Sequence, residues 1–67
     1  MDAHKKIRNY IESNGIKLNF VANKAGIPLK TFYRLINGQK KMSLEEYEKI
    51  CIEGLSIKPS FFLQNNS

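Results

Sequence analysis

A chain of 67 residues, 42% hydrophobic and 25% charged, has the composition of one small globular domain rather than of a disordered tail. A domain of this size buries only about 60% of its unfolded surface, which leaves little room for an enclosed active site. The single cysteine excludes an internal disulfide framework, and no apolar run approaches the roughly 20 residues that span a bilayer. Because the N-terminus also lacks a signal-peptide core, we expect one domain over residues 1–67 of a cytoplasmic protein.

The net charge of +5 is unevenly distributed along the chain. Residues 1–42 hold nine basic and two acidic side chains, whereas residues 43–67 hold two basic and four acidic ones. No carboxylate occurs between Glu12 and Glu45. A long basic stretch without carboxylates favours a polyanionic partner, because each carboxylate would repel phosphate.

The first predicted helix covers residues 3–14. Ile7, Tyr10 and Ile11 recur at three- and four-residue spacing, which is typical of one buried helical face. His4 lies in this segment without a second metal ligand or a nucleophile near it in the sequence. We therefore expect it neither to bind a metal nor to catalyse a reaction.

Two further helices follow, separated by a glycine. The second covers residues 17–25, and Gly26 then allows the sharp chain reversal that a side chain would obstruct. The third covers residues 28–36, with Pro28 at its first helical position and Gly38 just after its end. A helix, a glycine-containing turn and a second helix form a helix-turn-helix, which we predict over residues 17–37.

The third helix has two different faces. At about 100° per residue, Phe32, Leu35 and Ile36 fall on one side. The other side holds Lys30, Tyr33, Arg34 and Asn37. A surface helix with a solvated basic face has the same pattern. An apolar back with a basic, hydrogen-bonding front is also what a major-groove recognition helix requires, and the flanking basic stretch favours this interpretation.

The last third of the chain is predicted to complete the core. The run Ser43-Leu44-Glu45-Glu46 is a capping box that begins a fourth helix, and Gly54 ends it. Its inward stripe is predicted to hold Leu44, Tyr47, Ile50 and Cys51. The run Phe61-Phe62-Leu63 either closes the core or forms a partner surface, and we expect at least one phenylalanine in the core. Residues 64–67 are expected to be frayed.

Residues 7–63 resemble the Cro/phage-repressor (XRE) family of DNA-binding domains. The resemblance is carried by the runs 21–27 and 31–38, followed by a capped helix, a short loop and the pair Phe61-Phe62. It implies an all-α, compact five-helix bundle containing the helix-turn-helix. The sequence departs from the family pattern at Pro28, where Ser or Thr is usual, and at Leu18, where Gln is frequent.

The resemblance implies that the helix over residues 28–36 lies in the major groove. The residues then expected at base edges are Leu29, Lys30, Thr31, Tyr33 and Arg34. The residues expected to hold backbone phosphates are Lys17, Asn19, Asn37, Gln39, Lys40 and Lys41. Leu29 has an alternative as an inward-packing staple, Thr31 as a local cap, and Tyr33 as a phosphate contact or a partly buried residue.

We therefore expect sequence-specific binding to double-stranded DNA by a repressor-like transcription regulator. Because one recognition helix reads few base pairs, a homodimer on a palindromic operator is expected, formed through the fourth helix or the run 61–63. The main alternative is a protein-interaction module on the same fold, such as an antitoxin-like or antirepressor-like partner. An RNA binder would need more exposed aromatic residues than Tyr33. Because paired carboxylates, a Cys/His group and a phosphate-cradling loop are missing from the sequence, we expect no enzyme, metal or cofactor.

Overall fold

All of the regular secondary structure in the described part of the chain is helical. In the computed structural model, which describes residues 3–64, the α-helices are α1 (Ala3–Ser13), α2 (Leu18–Ala25), α3 (Leu29–Ile36), α4 (Leu44–Glu48) and α5 (Phe61–Gln64). A π-helical segment, Lys49–Gly54, continues directly from α4. No strand occurs among the described residues, so the prediction of an all-α, five-helix fold is confirmed. Of the tail predicted to fray, Gln64 lies in α5 and residues 65–67 lie outside the described part of the chain.

One hydrophobic core joins the helices. Its members are Ile7, Ile11, Val21, Ala22, Ala25, Ile27, Phe32, Leu35, Ile36, Ile50, Cys51 and Phe62. The predicted inward faces of the first and third helices are thus confirmed, with Tyr10 partly buried against the core. Cys51 is a buried free thiol, and burial raises the pKa of this thiol. It is therefore a core side chain rather than a reactive one.

The C-terminal helix closes the core by aromatic packing against α1. Phe62 is buried, whereas Phe61 remains 44% exposed. The two rings and the ring of Tyr10 meet edge to face, with centroids 5.2–5.8 Å apart, a geometry that aromatic pairs prefer. The expectation that at least one phenylalanine enters the core is confirmed.

Glycines with left-handed backbone end α2 and α3. Gly26 has φ 71° and Gly38 has φ 77°. The following N–H groups turn back onto the helices: that of Ile27 donates to the Ala22 carbonyl at 3.0 Å, and that of Gln39 donates to the Arg34 carbonyl at 2.9 Å. This is the hydrogen-bond pattern of a Schellman motif, which only a left-handed residue allows. The sharp reversal predicted at Gly26 is thereby confirmed.

The fourth predicted helix differs from expectation in two respects. It begins with the predicted capping box at Ser43 and ends at Gly54, but its second half is a π-helix instead of an α-helix. A Cβ on Gly54 would lie only 2.8 Å from Cγ1 of Val21, so the wider turn brings its backbone against α2. The prediction that Leu44 points inward is wrong, since it is 72% exposed. As the first residue of α4, its side chain projects at the end of the helix, beyond the core.

The segment after the π-helix is tied back to α4. The hydroxyl of Tyr47 donates a hydrogen bond to the carbonyl of Pro59. Burial of this phenol raises the pKa of Tyr47 to about 12. Ser56 adopts a left-handed φ of 58°, and the next N–H, that of Ile57, bonds to the Cys51 carbonyl. These contacts direct the chain towards α5.

Candidate nucleic-acid interface

The helix α3 separates an apolar face from a basic face. Phe32 and Leu35 are 0% exposed, which fixes the helix to the core. Lys30 and Arg34, one turn apart on the other side, are exposed. An α-helix with its side chains is about 10–12 Å across, which fits the roughly 12 Å width of the major groove. The geometry is that of a rigid support for two outward-facing cations.

The other residues predicted at base edges are exposed to different degrees. Leu29 is 40% exposed and Tyr33 is 42% exposed, whereas Thr31 is half-buried. Leu29 is thus not a fully buried staple, and Tyr33 is a partly buried residue whose ring still reaches the surface. All five predicted residues belong to α3, which brings them together on one element.

The starts of α2 and α3 lack side-chain caps. Pro28 is the N-cap of α3, with an extended ψ of 139°, so its prediction as the first helical residue is wrong by one position. A proline favours an extended conformation here, and the helix begins at Leu29. Lys17 is the N-cap of α2 rather than its first residue, and neither side chain accepts a hydrogen bond from its helix. The first N–H donors of both helices are therefore left for other acceptors, of which phosphate is one.

The end of α3 is braced by a residue that sequence analysis overlooked. An Nη1 donor of Arg8, on α1, bonds to Oδ1 of Asn37 at 2.8 Å, and Nε of Arg8 bonds to Glu12 at 3.2 Å. Because a guanidinium has only donors, the oxygen of the Asn37 amide must face Arg8 and its NH₂ group must face away. Asn37 thus presents a donor in a fixed orientation. No sequence signal links residues 8 and 37, because the pairing depends on how α1 crosses α3.

The loop after α3 holds the remaining predicted phosphate ligands. Gln39, Lys40 and Lys41 are all exposed. The ammonium of Lys40 bonds to a carboxylate oxygen of Glu46 at 3.2 Å. Hydrogen bonding from the Ser43 backbone N–H, with a smaller contribution from Lys40, lowers the pKa of Glu46. Lys40 is thus partly neutralised by a residue that lies outside the basic stretch, whereas Lys41 forms no ion pair within the described residues.

The start of α2 contributes further exposed polar groups. Lys17 and Asn19, both predicted to hold phosphates, are exposed there. Phe20, which was not predicted at this surface, is 54% exposed. The ammonium of Lys24 lies over its ring, 5.4 Å from the ring centroid. Tyr33 is therefore not the sole exposed aromatic residue on the first three helices.

The surface formed by α3, the loop after it and the start of α2 offers hydrogen-bond donors and cations. Within residues 3–64, no group of three or more His, Cys, Asp or Glu side chains could hold a metal ion. In the same part of the chain, none of the helices has both the length and the apolar character needed to cross a bilayer. What this surface can do chemically is bind an anionic, hydrogen-bond-accepting partner.

Comparison with known families agrees with the geometry. A family model described as the Cro/C1-type HTH DNA-binding domain matches residues 6–59, which run from within α1 to the segment before α5. No curated protein and no solved structure matches the chain significantly. The matched region includes the two helices of the glycine turn and the capped fourth helix. The chain belongs to the Cro/C1-type helix-turn-helix DNA-binding domain family.

Proposed function

We propose that this domain binds a specific sequence in double-stranded DNA with α3 in the major groove, and that it represses transcription from that site. The observation that carries the proposal is the division of α3: Phe32 and Leu35 are fully buried while Arg34 is exposed on the opposite side. A helix anchored in this way presents its cations in a fixed orientation. This pre-organisation favours base recognition over loose electrostatic attachment.

In the proposed complex, Lys30 and Arg34 read bases. Each can donate to O6 and N7 of guanine, a contact worth about 1–3 kcal/mol of discrimination. Leu29 contacts a thymine methyl group, and Thr31 and Tyr33 contact base edges or their rims. These assignments are supported by the position of all five residues on α3, where all but the half-buried Thr31 are exposed.

The remaining predicted residues hold the DNA backbone and carry no sequence information. They are Lys17, Asn19, Asn37, Gln39, Lys40 and Lys41. The NH₂ group of Asn37, oriented by Arg8, suits this role. Because Lys40 shares its charge with Glu46, we expect Lys41 to contribute more than Lys40. We retain the prediction of a cytoplasmic protein, without metal or cofactor, as part of this proposal.

Selection of binding sites from a randomised duplex pool, at two salt concentrations, tests the proposal. We expect one enriched sequence with two symmetric halves. Replacing Arg34 by Ala should cost about 1–3 kcal/mol at the selected site and relax the preference at one or two base pairs. Replacing Lys41 by Ala should weaken binding to all sequences alike and reduce the salt slope by about one.

The control is Lys58→Ala, which removes an exposed cation with no assigned contact. It should leave both the affinity and the sequence preference unchanged. Enrichment of no sequence, or an Arg34→Ala variant with wild-type affinity for the selected site, would contradict the proposal. Repression is tested by placing the selected site across a promoter, where expression of a reporter should fall.

We propose that a second copy of the chain completes the operator complex. The two regions predicted as dimer surfaces line one apolar groove of about 370 Å³, to which Leu44, Tyr47, Phe62 and Leu63 contribute. Leu44 and Leu63 are 72% and 58% exposed, so the same patch offers both a groove and projecting side chains, as a two-fold interface requires. The domain measures 32 × 23 × 19 Å. A palindromic operator requires the α3 helices of the two copies to lie about one DNA turn, roughly 34 Å, apart, a distance close to the longest dimension of one domain.

Sedimentation equilibrium tests the dimer. Leu44→Asp should raise the dimer dissociation constant by about tenfold or more, because a carboxylate would be buried in the interface. Ile52→Asp is the control, since Ile52 is 53% exposed and does not line the groove. A wild-type protein that stays monomeric in the presence of operator would contradict the dimer. If it also binds DNA without sequence preference, the alternative of a protein-interaction module, with the groove as its docking surface, would be favoured.

A further inference from the structure

A basic cleft lies beside the C-terminal end of α3, where α1 begins. The imidazole of His4 rests directly against Gly38: a Cβ on Gly38 would lie 2.8 Å from Nε2 of His4 and 3.2 Å from its Cε1. The ring approaches this closely because residue 38 has no side chain. His4 has no second metal ligand or nucleophile near it in the sequence, and the fold brings it to the loop that follows α3.

The cleft has a volume of about 490 Å³, and its lining includes two ammonium groups and one imidazole. These groups belong to Lys40, Lys41 and His4, and the other lining residues include Leu35, Gly38 and Met42. None of the described residues that line it carries a carboxylate. Glu46 reaches its edge only through the ion pair with Lys40. The cleft is therefore an electropositive recess with a mixed polar and apolar lining.

This cleft continues the proposed phosphate-binding surface. His4 and Arg8 are four residues apart and lie on the same face of α1. Arg8 bonds to Asn37 at 2.8 Å, and His4 packs against the next residue, Gly38. One face of α1 thus extends along the end of α3 and the start of the Lys40–Lys41 loop.

We propose that the cleft binds a phosphate of the DNA backbone through the imidazole of His4 and the ammonium of Lys41. This inference rests on the proposed DNA-binding function and adds a contact from α1 to it. Phosphate accepts hydrogen bonds from both groups, and a charge-assisted bond is the stronger kind. Lys40 supports the site electrostatically while it remains paired with Glu46.

The proposal makes DNA binding depend on pH, because histidine changes its charge between about pH 5 and 8. Among the described residues, the charged groups on the elements around the ring are Lys5 and Arg8 on α1, Lys40 and Lys41 on the loop, and Glu46 of α4 behind Lys40. A bound phosphate favours the protonated ring. DNA affinity should therefore rise as the pH falls, and the imidazole should keep its proton to higher pH in the complex than in the free protein.

The experiment compares the wild-type chain with His4→Gln on the selected duplex at pH 5.5 and 8.0, in chloride buffers at 50 and 200 mM salt. His4 is the one histidine in the sequence, and the variant retains the terminal amine, which also titrates in this range. For the wild type, we expect the salt slope to steepen by about 0.9 at pH 5.5, which widens the affinity ratio between the two salts about threefold. For His4→Gln, we expect no such change.

Two further measurements keep the outcome decisive if the variant folds poorly. The imidazole resonance of the wild type, which is unique, is titrated with and without DNA, and Lys41→Ala should lower the salt slope at both pH values. The inference is overturned if the wild type binds the site with the same salt slope at both pH values, or if its imidazole titrates identically in the two states. Failure of the wild type to bind any duplex would instead overturn the proposed function.

Discussion

The helix-turn-helix and the fourth helix begin in opposite ways. The side chains of the N-caps of α2 and α3, Lys17 and Pro28, accept no hydrogen bond from their helices. The start of α4 instead carries a complete capping box, in which Ser43 and Glu46 satisfy each other's backbone N–H groups. The first turn of α4 also contains two carboxylates, whereas those of α2 and α3 contain none.

The difference separates stability from binding. A cap and a nearby carboxylate stabilise a helix start, but they also occupy its donors and repel phosphate. The start of α4 has both a side-chain cap and nearby carboxylates. At the starts of α2 and α3 the first N–H groups have no side-chain acceptor, so these helices depend on their buried faces for stability.

The buried face of α3 should carry most of its stability. Phe32→Ala removes a fully buried ring and should lower the free energy of unfolding by about 3–5 kcal/mol. Tyr33→Ala changes the adjacent residue, which is 42% exposed, and should stay within about 0.5–1 kcal/mol of the wild type while weakening DNA binding. Urea denaturation of both variants measures the difference. Equal destabilisation by the two substitutions would show that the faces of α3 are assigned incorrectly.

The contact between the two regions should be sensitive to one methyl group. A Cβ on Gly54 would lie 2.8 Å from Cγ1 of Val21 and 3.2 Å from its carbonyl oxygen, so Gly54→Ala should cost about 1–3 kcal/mol through overpacking. Val21→Ala leaves a cavity by itself but removes the nearest clashing atom. The double variant should therefore be more stable than the sum of the single effects predicts. Strict additivity in a denaturant-based double-mutant cycle would argue against the close approach.

The capping box of α4 should contribute a smaller, pH-dependent amount. Ser43→Ala should lower the free energy of unfolding by about 1 kcal/mol. The pKa of Glu46 is lowered in the folded chain, chiefly by the Ser43 backbone N–H. The stabilisation by the ionised Glu46 is therefore present at neutral pH and is lost as the pH falls through the folded-state pKa, which lies below the usual glutamate value.

Glu46→Gln serves as the control for this pH dependence, because glutamine keeps the capping geometry without a titrating group. The wild type should exceed this variant in stability at pH 7, and the gap should close at acidic pH. A gap of constant size between pH 7 and pH 3 would show that the charge of Glu46 has no role in the cap.

Adding a cap to α2 should reverse the balance between stability and binding. Lys17 already has the extended backbone of an N-cap, with φ −82° and ψ 138°. Lys17→Ser should therefore raise the free energy of unfolding by about 0.5–1 kcal/mol, while it lowers DNA affinity and reduces the salt slope by about one. Lys58→Ser, at an exposed position without an assigned contact, should alter neither quantity by a comparable amount. A Lys17→Ser variant that binds DNA as well as the wild type would refute the trade-off.

The elements that depend on neighbouring residues alone could be predicted from the amino-acid sequence. The spacing of Phe32, Leu35 and Ile36 defined the buried face of α3, because helical periodicity depends only on neighbouring residues. The glycine ends and the Ser43–Glu46 capping box followed from local backbone requirements in the same way. The all-α fold and the family were also within reach, because their signals lie in continuous runs of the chain.

Which distant residues share a surface depends on the tertiary structure. The exposure of Leu44 depends on where the core ends along α4, and the close approach of Gly54 to Val21 depends on how the fourth helix meets α2; periodicity contains no information on either. The basic stretch appears free of carboxylates in the sequence, yet Glu46 reaches Lys40 across the loop. Arg8 and His4, 29 and 34 positions before Asn37 and Gly38, reach the end of α3 only because α1 packs across it. Side-chain partners of this kind follow from the crossing of helices, which no local pattern encodes.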